Sequence, residues 1–311
     1  MADLKLFRIA EGTATEIPSG SVALERGLQV LLENNLEAIF GMRFLASEYL
    51  TGKVHRGRID SLGLDENGSP VILEYKRTIN ENVINQGLFY LDWLMDHQAE
   101  FRLLVEEKLG RDASLNIDWS TPRLVCVAND FTRYDEHAVK QIDRNVELVR
   151  YRDFGSDLLA IELVTATTAA SPTRRIVAPE PIESPVQVTT GSRRRNAGDL
   201  LARADKELAS LYKAYEEFVL SLGDDVVRNE RQDYFAFRRL KNFACVEVHP
   251  TSRNLLIYLK LDPQTVEMQA GLIRDVSSIG HFGTGDVELR IHDRESWDLV
   301  ESLSRRAYEA N

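Results

Sequence analysis

Apolar positions recur along the first half of the chain at two spacings. Leu24, Leu28, Leu31 and Ile39 fall on one side of a 3.6-residue repeat and predict a helix from about Ser21 to Phe40. Ahead of it, LKLFRIA and TATEI read as a short opening strand pair. Behind it, strands are expected around Phe44–Tyr49, Arg58–Leu64 and Val71–Lys76. A second helix follows from about Asn80 to His97, then a buried strand over Arg123–Asn129, a helix over His137–Asn145 and a last strand over Leu158–Val164. Strands joined first by a hairpin and later by helices imply an α/β domain, a mixed sheet flanked by helices.

The pattern lapses between Thr165 and Gly198, where Thr, Ala, Pro, Ser and Arg dominate and Pro172, Pro179, Pro181 and Pro185 exclude a regular helix. We read residues 166–198 as a linker between an N-terminal domain, 1–165, and a C-terminal domain, 199–311. The second domain opens with a helix from about Asp199 to Leu222. It continues through the strand-like runs YFAFRR, FACVEVH, LLIYLKL and VELRI and closes with a helix from about Arg294 to Tyr308. This order predicts a smaller α+β domain with a mainly antiparallel sheet.

Composition narrows the function classes. Apolar residues at 43% support a sizeable core. A formal charge of −11 argues against nonspecific coating of nucleic acid, and leaves room for a local basic groove. The start, MADLKLFRIAEG, lacks an apolar signal core, and no unbroken apolar run reaches the roughly 18 residues of a membrane span, so a cytoplasmic protein with no membrane partner is expected. Cys126 and Cys245 each sit inside an apolar run, as core thiols do.

The chemistry concentrates in GRIDSLGLDENGSPVILEYKR, residues 57–77. Its loop suits a three-residue hairpin connection, Glu66-Asn67-Gly68, with Asp65 opening a type I turn and Gly68 as the left-handed residue. In that register Asp60 lies opposite Glu74. The two-residue pleat puts Lys76 and Arg58 on the same face. Facing carboxylates indicate a bound cation or a shared proton, and Mg²⁺ or Mn²⁺ suits such oxygen ligands. Two helices add inward polar groups: Glu25 at helical spacing from Leu28 and Leu32, and Gln86 with Tyr90 in line with Val83 and Trp93.

These stretches, with ALERGLQVLLENNLEAIFG before them and INQGLFYLDWL after, resemble the PD-(D/E)XK nuclease superfamily, most closely the catalytic domain of NucS-type endonucleases. The likeness spans roughly residues 20–165. Arg58-Ile59-Asp60 matches the aspartate motif, Glu74-Tyr75-Lys76 the ExK motif, Gln86 and Tyr90 the following helix, and Glu25 the glutamate of the first helix. The resemblance implies a restriction-endonuclease-like fold and a Mg²⁺- or Mn²⁺-dependent endonuclease acting on DNA. It implies metal ligation by Asp60, Glu74 and the Tyr75 backbone carbonyl, with Glu25 as a further candidate, and catalytic roles for Lys76, Gln86 and Tyr90. Arg58, His55 and Arg77 would contact nucleic acid, and a homodimer is an arrangement many such nucleases use. The C-terminal region resembles an uncharacterised domain often attached to such modules, in proteins sometimes labelled predicted transport proteins.

Other signals are shared between two explanations. Asp3-Leu4-Lys5 and Glu106-Glu107-Lys108 repeat the acidic-x-Lys tripeptide without an aspartate across a hairpin. Arg174-Arg175 and Arg193-Arg194-Arg195 suit phosphate contacts or plain solvation. Tyr234, Phe235, Phe237, Arg238, Arg239 and Lys241 suit a stacking platform for single strands or a core strand and turn. GHFGTGD reads as a loop. Two functional alternatives stay open: a nuclease fold kept as a binding module without catalysis, and a C-terminal domain that carries partner binding or dimerisation.

Overall fold

A computed structural model describes residues 4–20, 25–76, 82–155, 157–169 and 196–311. The chain divides into two compact units, Met1–Ala169 and Ala170–Asn311. Most of the linker residues named above, including the prolines and the arginine clusters, lie outside the described residues.

The first unit runs β1 (Leu6–Ala10), β2 (Thr13–Ile17), α1 (Glu25–Glu33), α2 (Leu36–Phe40), β3 (Met42–Leu50), α3 (Gly52–His55), β4 (Arg58–Asp65), β5 (Pro70–Lys76), α4 (Val83–Asp96), α5 (Gln98–Leu109), α6 (Arg111–Leu115), β6 (Arg123–Ala128), α7 (Arg133–Val139), β7 (Asn145–Asp153) and β8 (Leu159–Ala166). β1 and β2 form a separate two-stranded sheet. The other six strands form one sheet in the order β3-β4-β5-β6-β7-β8. β5, β6 and β7 are parallel and the remaining pairs antiparallel, which gives the expected mixed sheet flanked by helices.

The central strands VILEY, RLVCVA and NVELVRY read as nearly continuous apolar runs because parallel strands are covered on both faces. The core gathers Leu62, Leu64 and Ile72 of the hairpin with Leu91, Trp93 and Leu94 of α4 and Leu124 and Leu148 of β6 and β7. Each such side chain contributes roughly 1.5–3 kcal/mol on burial. The hairpin turn forms as its residues dictate. Asp65 Oδ1 accepts from the N–H groups of Asn67 and Ser69 at 2.9 and 2.8 Å, and Gly68 takes a φ of 77°. Asp65 Oδ2 in turn accepts from Arg123 at 2.9 Å, while the same guanidinium donates twice to Glu147 at 2.8 Å. All three charges are buried, and together they tie the turn to β6 and β7.

Three expectations are corrected. The helix predicted over Ser21–Phe40 is two helices, because Asn35 Nδ2 donates to the Leu31 carbonyl at 2.8 Å and closes α1. Leu28 and Leu32 are buried as expected, whereas Leu31 is exposed; Ser21–Leu24 lie outside the described residues. The helix predicted over His137–Asn145 is displaced to α7, where Thr132 and Asp135 form a capping box, and Asn145 begins β7.

The second unit comprises α8 (Ala197–Ala202), α9 (Lys206–Leu220), β9 (Val227–Glu230), β10 (Phe235–Arg238), β11 (Asn242–His249), β12 (Asn254–Leu259), β13 (Ile273–Asp275), β14 (Val287–Ile291) and α10 (Trp297–Ala310). Its sheet is antiparallel in the order β13-β14-β12-β11-β10-β9, as expected. The helix predicted over Asp199–Leu222 divides at Asp205, whose side chain caps α9 by accepting from the Leu208 N–H. Tyr215, Phe237, Leu255, Ile257, Leu289 and Leu303 belong to its core. Phe235, Phe237 and Arg238 are buried, so this run is a core strand and not a stacking platform. Cys126 and Cys245 are both free and buried. Among the described residues no helix is long and apolar enough to cross a membrane.

Candidate active site

The site forms where the β4–β5 ladder opens. Pairing runs Leu64↔Pro70, Gly63↔Val71, Leu62↔Ile72 and Ser61↔Leu73, the register anticipated from the turn. One step further would set Asp60 across from Glu74, yet the paired positions stop at Ser61 and Leu73. Side chains take over there. The Asp60 N–H donates to Glu74 Oε1 at 3.2 Å, and the Tyr75 N–H donates to Asp60 Oδ2 at 3.0 Å. The Glu74 carboxylate is thus tied to the Asp60 backbone and the Asp60 carboxylate to the Tyr75 backbone, so the pair does not merely stand opposite on a flat sheet. On the other flank the pairs Ser47↔Ser61 and Tyr49↔Ile59 also skip Asp60, and Glu48, which falls between them on β3, has a left-handed φ of 52°.

Glu74 is fully buried, and its second oxygen, Oε2, has no hydrogen-bond partner among the described residues. Burial first, and the Asp60 charge second, push the Glu74 carboxyl up to about 9, against the pull of the Asp60 N–H and of Lys76. Burial also raises Asp60, opposed by its bond from the Tyr75 N–H and by Lys76. A buried oxygen without a donor beside a second carboxylate calls for a proton or a cation. The donor set of one or two carboxylates with room for water fits a hard divalent ion. Among the described residues no group of three or more His, Cys, Asp or Glu side chains is arranged to hold a metal. Any ion here would therefore depend on this pair, on backbone oxygen and on water.

A cleft of about 600 Å³ opens beside the pair, and Glu25, Arg56, Gly57, Arg58, Asp60, Lys76, Gln86 and Tyr90 line it. Lys76 is 14% exposed and its Nζ lies 3.7 Å from Glu25 Oε1. Glu25 thus reaches the lysine from α1. Gln86 Nε2 donates to Tyr90 Oη at 3.2 Å, and that oxygen accepts from the Arg58 N–H at 3.1 Å, which fastens α4 to the start of β4. Gly57 permits this approach, since a Cβ there would stand 2.3 Å from Tyr90 Cε1. The Arg58 guanidinium is exposed and pairs with Glu48 at 2.6 Å.

The structure therefore brings Glu25, Arg58, Asp60, Lys76, Gln86 and Tyr90 to one cleft, with Glu74 buried against Asp60. Tyr75 contributes its N–H, and its carbonyl belongs to the stretch of β5 paired with Val127 of β6. His55 is not brought to the cleft wall. Its ring packs 5.1 Å from Phe89 and 5.7 Å from His97, beside α4. Arg77 lies outside the described residues. Sequence reasoning missed Glu48, whose place is set by backbone conformation, and Gln29 and Glu33. The last two were findable: Glu25, Gln29 and Glu33 repeat every four residues alongside Leu28 and Leu32.

Comparison with known proteins gives three kinds of match. Residues 197–311 match a family described as Domain of unknown function (DUF5655). An uncharacterised protein of Haemophilus influenzae is 28% identical over 306 residues, which cover 98% of this chain and 99% of that one. Among solved structures, a repair endonuclease from Pyrococcus abyssi matches at 21% identity and a TM-score of 0.28, over 42% of this chain and 48% of its own. An EndoMS-dsDNA2 complex matches at 21% identity and a TM-score of 0.24, over 42% of this chain and 47% of that one. In both structural matches this chain spans about half the neighbour's length.

Proposed function

We propose that the first unit is a metal-dependent nuclease that hydrolyses phosphodiester bonds in DNA, with Asp60, Glu74 and Lys76 at its centre. The observation that supports this most is the buried Glu74 Oε2, without a hydrogen-bond partner among the described residues, on a carboxylate set against Asp60, which itself lines a cleft with Arg56, Arg58 and Lys76. Asp60, Glu74 and the Tyr75 carbonyl would hold Mg²⁺ or Mn²⁺. When bound, such an ion lowers the pKa of a coordinated water and offsets charge developing on the scissile phosphate.

The chain's own groups supply positioning. Lys76, steadied by Glu25, presents an ammonium to the cleft, where it would orient the attacking water or a phosphate oxygen. Gln86 fixes Tyr90, and Tyr90 fixes the backbone at Arg58, so α4 sets the angle at which β4 enters the site. Arg56 and Arg58 on the cleft wall suit the phosphates flanking the scissile bond. Arg56, Arg58 and Lys76 thus offer local phosphate contacts within a chain whose overall charge is −11.

The test is cleavage of plasmid and linear DNA with Mg²⁺ or Mn²⁺. The wild-type protein should cut, and Glu74→Ala and Lys76→Ala should each lose at least ~100-fold in rate while keeping the native circular dichroism spectrum. Wild-type cleavage by either variant would overturn the assignment. Salt-dependent DNA binding with no cutting in Mg²⁺, Mn²⁺ or Co²⁺ would make the unit a binding module instead.

A further inference from the structure

Asp60 occupies a position that the sheet itself does not hold. Paired positions skip it towards both β3 and β5, and its neighbour Glu48 has left the extended conformation. Its N–H is taken by Glu74. Its carbonyl accepts from Gln29 Nε2 at 2.8 Å. Gln29 is buried on α1, and the same nitrogen lies 3.0 Å from Glu33 Oε1 and 3.2 Å from Ser47 Oγ. Ser61 Oγ donates to that Glu33 oxygen at 2.5 Å, so the residue after Asp60 is tied to α1 as well.

We propose that Gln29 is a positioning residue for Asp60, fixing the orientation of the 60–61 peptide and through it the carboxylate that faces Glu74. The proposal rests on the assignment of Asp60 and Glu74 as metal ligands. A β-strand residue is normally oriented by its ladder on both sides. Here one buried amide does that work on the α1 side, and outer groups that orient ligands tune metal affinity. Gln29 is not part of the cleft wall, so its loss should leave the surface that meets DNA intact.

The experiment uses the full chain and two variants. Gln29→Met keeps the length of the side chain and removes both donors; Gln29→Asn keeps the amide and draws it back by one methylene. Mn²⁺ binding is titrated by the loss of the free-ion electron paramagnetic resonance signal, and DNA binding is measured separately in EDTA by fluorescence anisotropy. Both variants should bind Mn²⁺ about 10-fold more weakly or worse, with DNA affinity in EDTA unchanged. Wild-type Mn²⁺ affinity in a folded variant would overturn the role of Gln29 and leave the nuclease assignment standing. Equal loss of Mn²⁺ and DNA binding, or failure of both variants to fold, would mark Gln29 as a general structural residue and overturn the proposal. A wild-type protein that binds no Mn²⁺ would remove the nuclease assignment, and the role of Gln29 with it.

Discussion

The backbone N–H of Asp60 donates to Oε1 of Glu74 at 3.2 Å, leaving Oε2 of the same buried carboxylate without a partner among the described residues. One oxygen is thus spent on holding the strands together where their ladder ends. The other is available to a proton or an ion. Folding stability should register which of the two is present.

Without metal, burial and the neighbouring Asp60 charge push the Glu74 carboxyl of the folded protein up to about 9 from its ordinary 4.5, and burial displaces Asp60 in the same direction. A carboxyl raised on folding binds its proton more tightly in the native state, so its contribution is complete below about 4.5 and is lost as pH rises through 9. Thermal unfolding without metal should therefore show a midpoint for the first unit that declines across this window. Glu74→Gln, which keeps a neutral side chain at every pH, should decline less. Added Mn²⁺ should reverse the trend in the wild type, because the ion binds the ionised pair. Parallel pH profiles for wild type and Glu74→Gln would contradict this account of the buried carboxyl.

Gly57 offers a second handle. A methyl group there would meet the Tyr90 ring at 2.3 Å, so Gly57→Ala must displace Tyr90 and break its bonds with Arg58 and Gln86. Overpacking of this kind costs about 1–3 kcal/mol. A folded but less stable protein with cleavage reduced at least ~10-fold is expected, by analogy with other misplaced positioning groups. Thermal melts and cleavage rates on the same preparation check it, and full activity would show that the position of Tyr90 is immaterial.

At the far end of the hairpin, Arg123 links Asp65 in the turn to Glu147 in β7, all within the core. Arg123→Leu would remove the cation that faces two buried carboxylates and should destabilise the first unit by about 3–5 kcal/mol. Urea unfolding followed through Trp93 and Trp119, with Trp297 replaced to silence the second unit, measures it. A change below about 1 kcal/mol would place the triad among surface-like ion pairs.

The same residues show how much of the molecule was legible in the chain. The register of β4 and β5 was readable because local chemistry sets it: Asp65 accepts from its own loop and Gly68 supplies the positive φ. From that register followed the proximity of Asp60 and Glu74. That the ladder opens at this pair was not readable, since it depends on Glu48 leaving the extended conformation and on Gln29 arriving from α1. β7 was missed for a related reason. Its buried Glu147 and Arg150 look like surface residues until Arg123, Asp130 and Glu162 are seen to pair with them across the sheet. Local turn and cap chemistry is written in sequence; partners supplied by other strands and helices are not.

The central claim is that Asp60 and Glu74 form one metal site, and anomalous diffraction at the manganese edge tests it most directly. In crystals soaked with Mn²⁺ an anomalous peak should lie in contact with both carboxylates, with Oε2 of Glu74 among its ligands. A map that shows no peak there, with Glu74 Oε2 still buried and unpartnered beside Asp60, would contradict it.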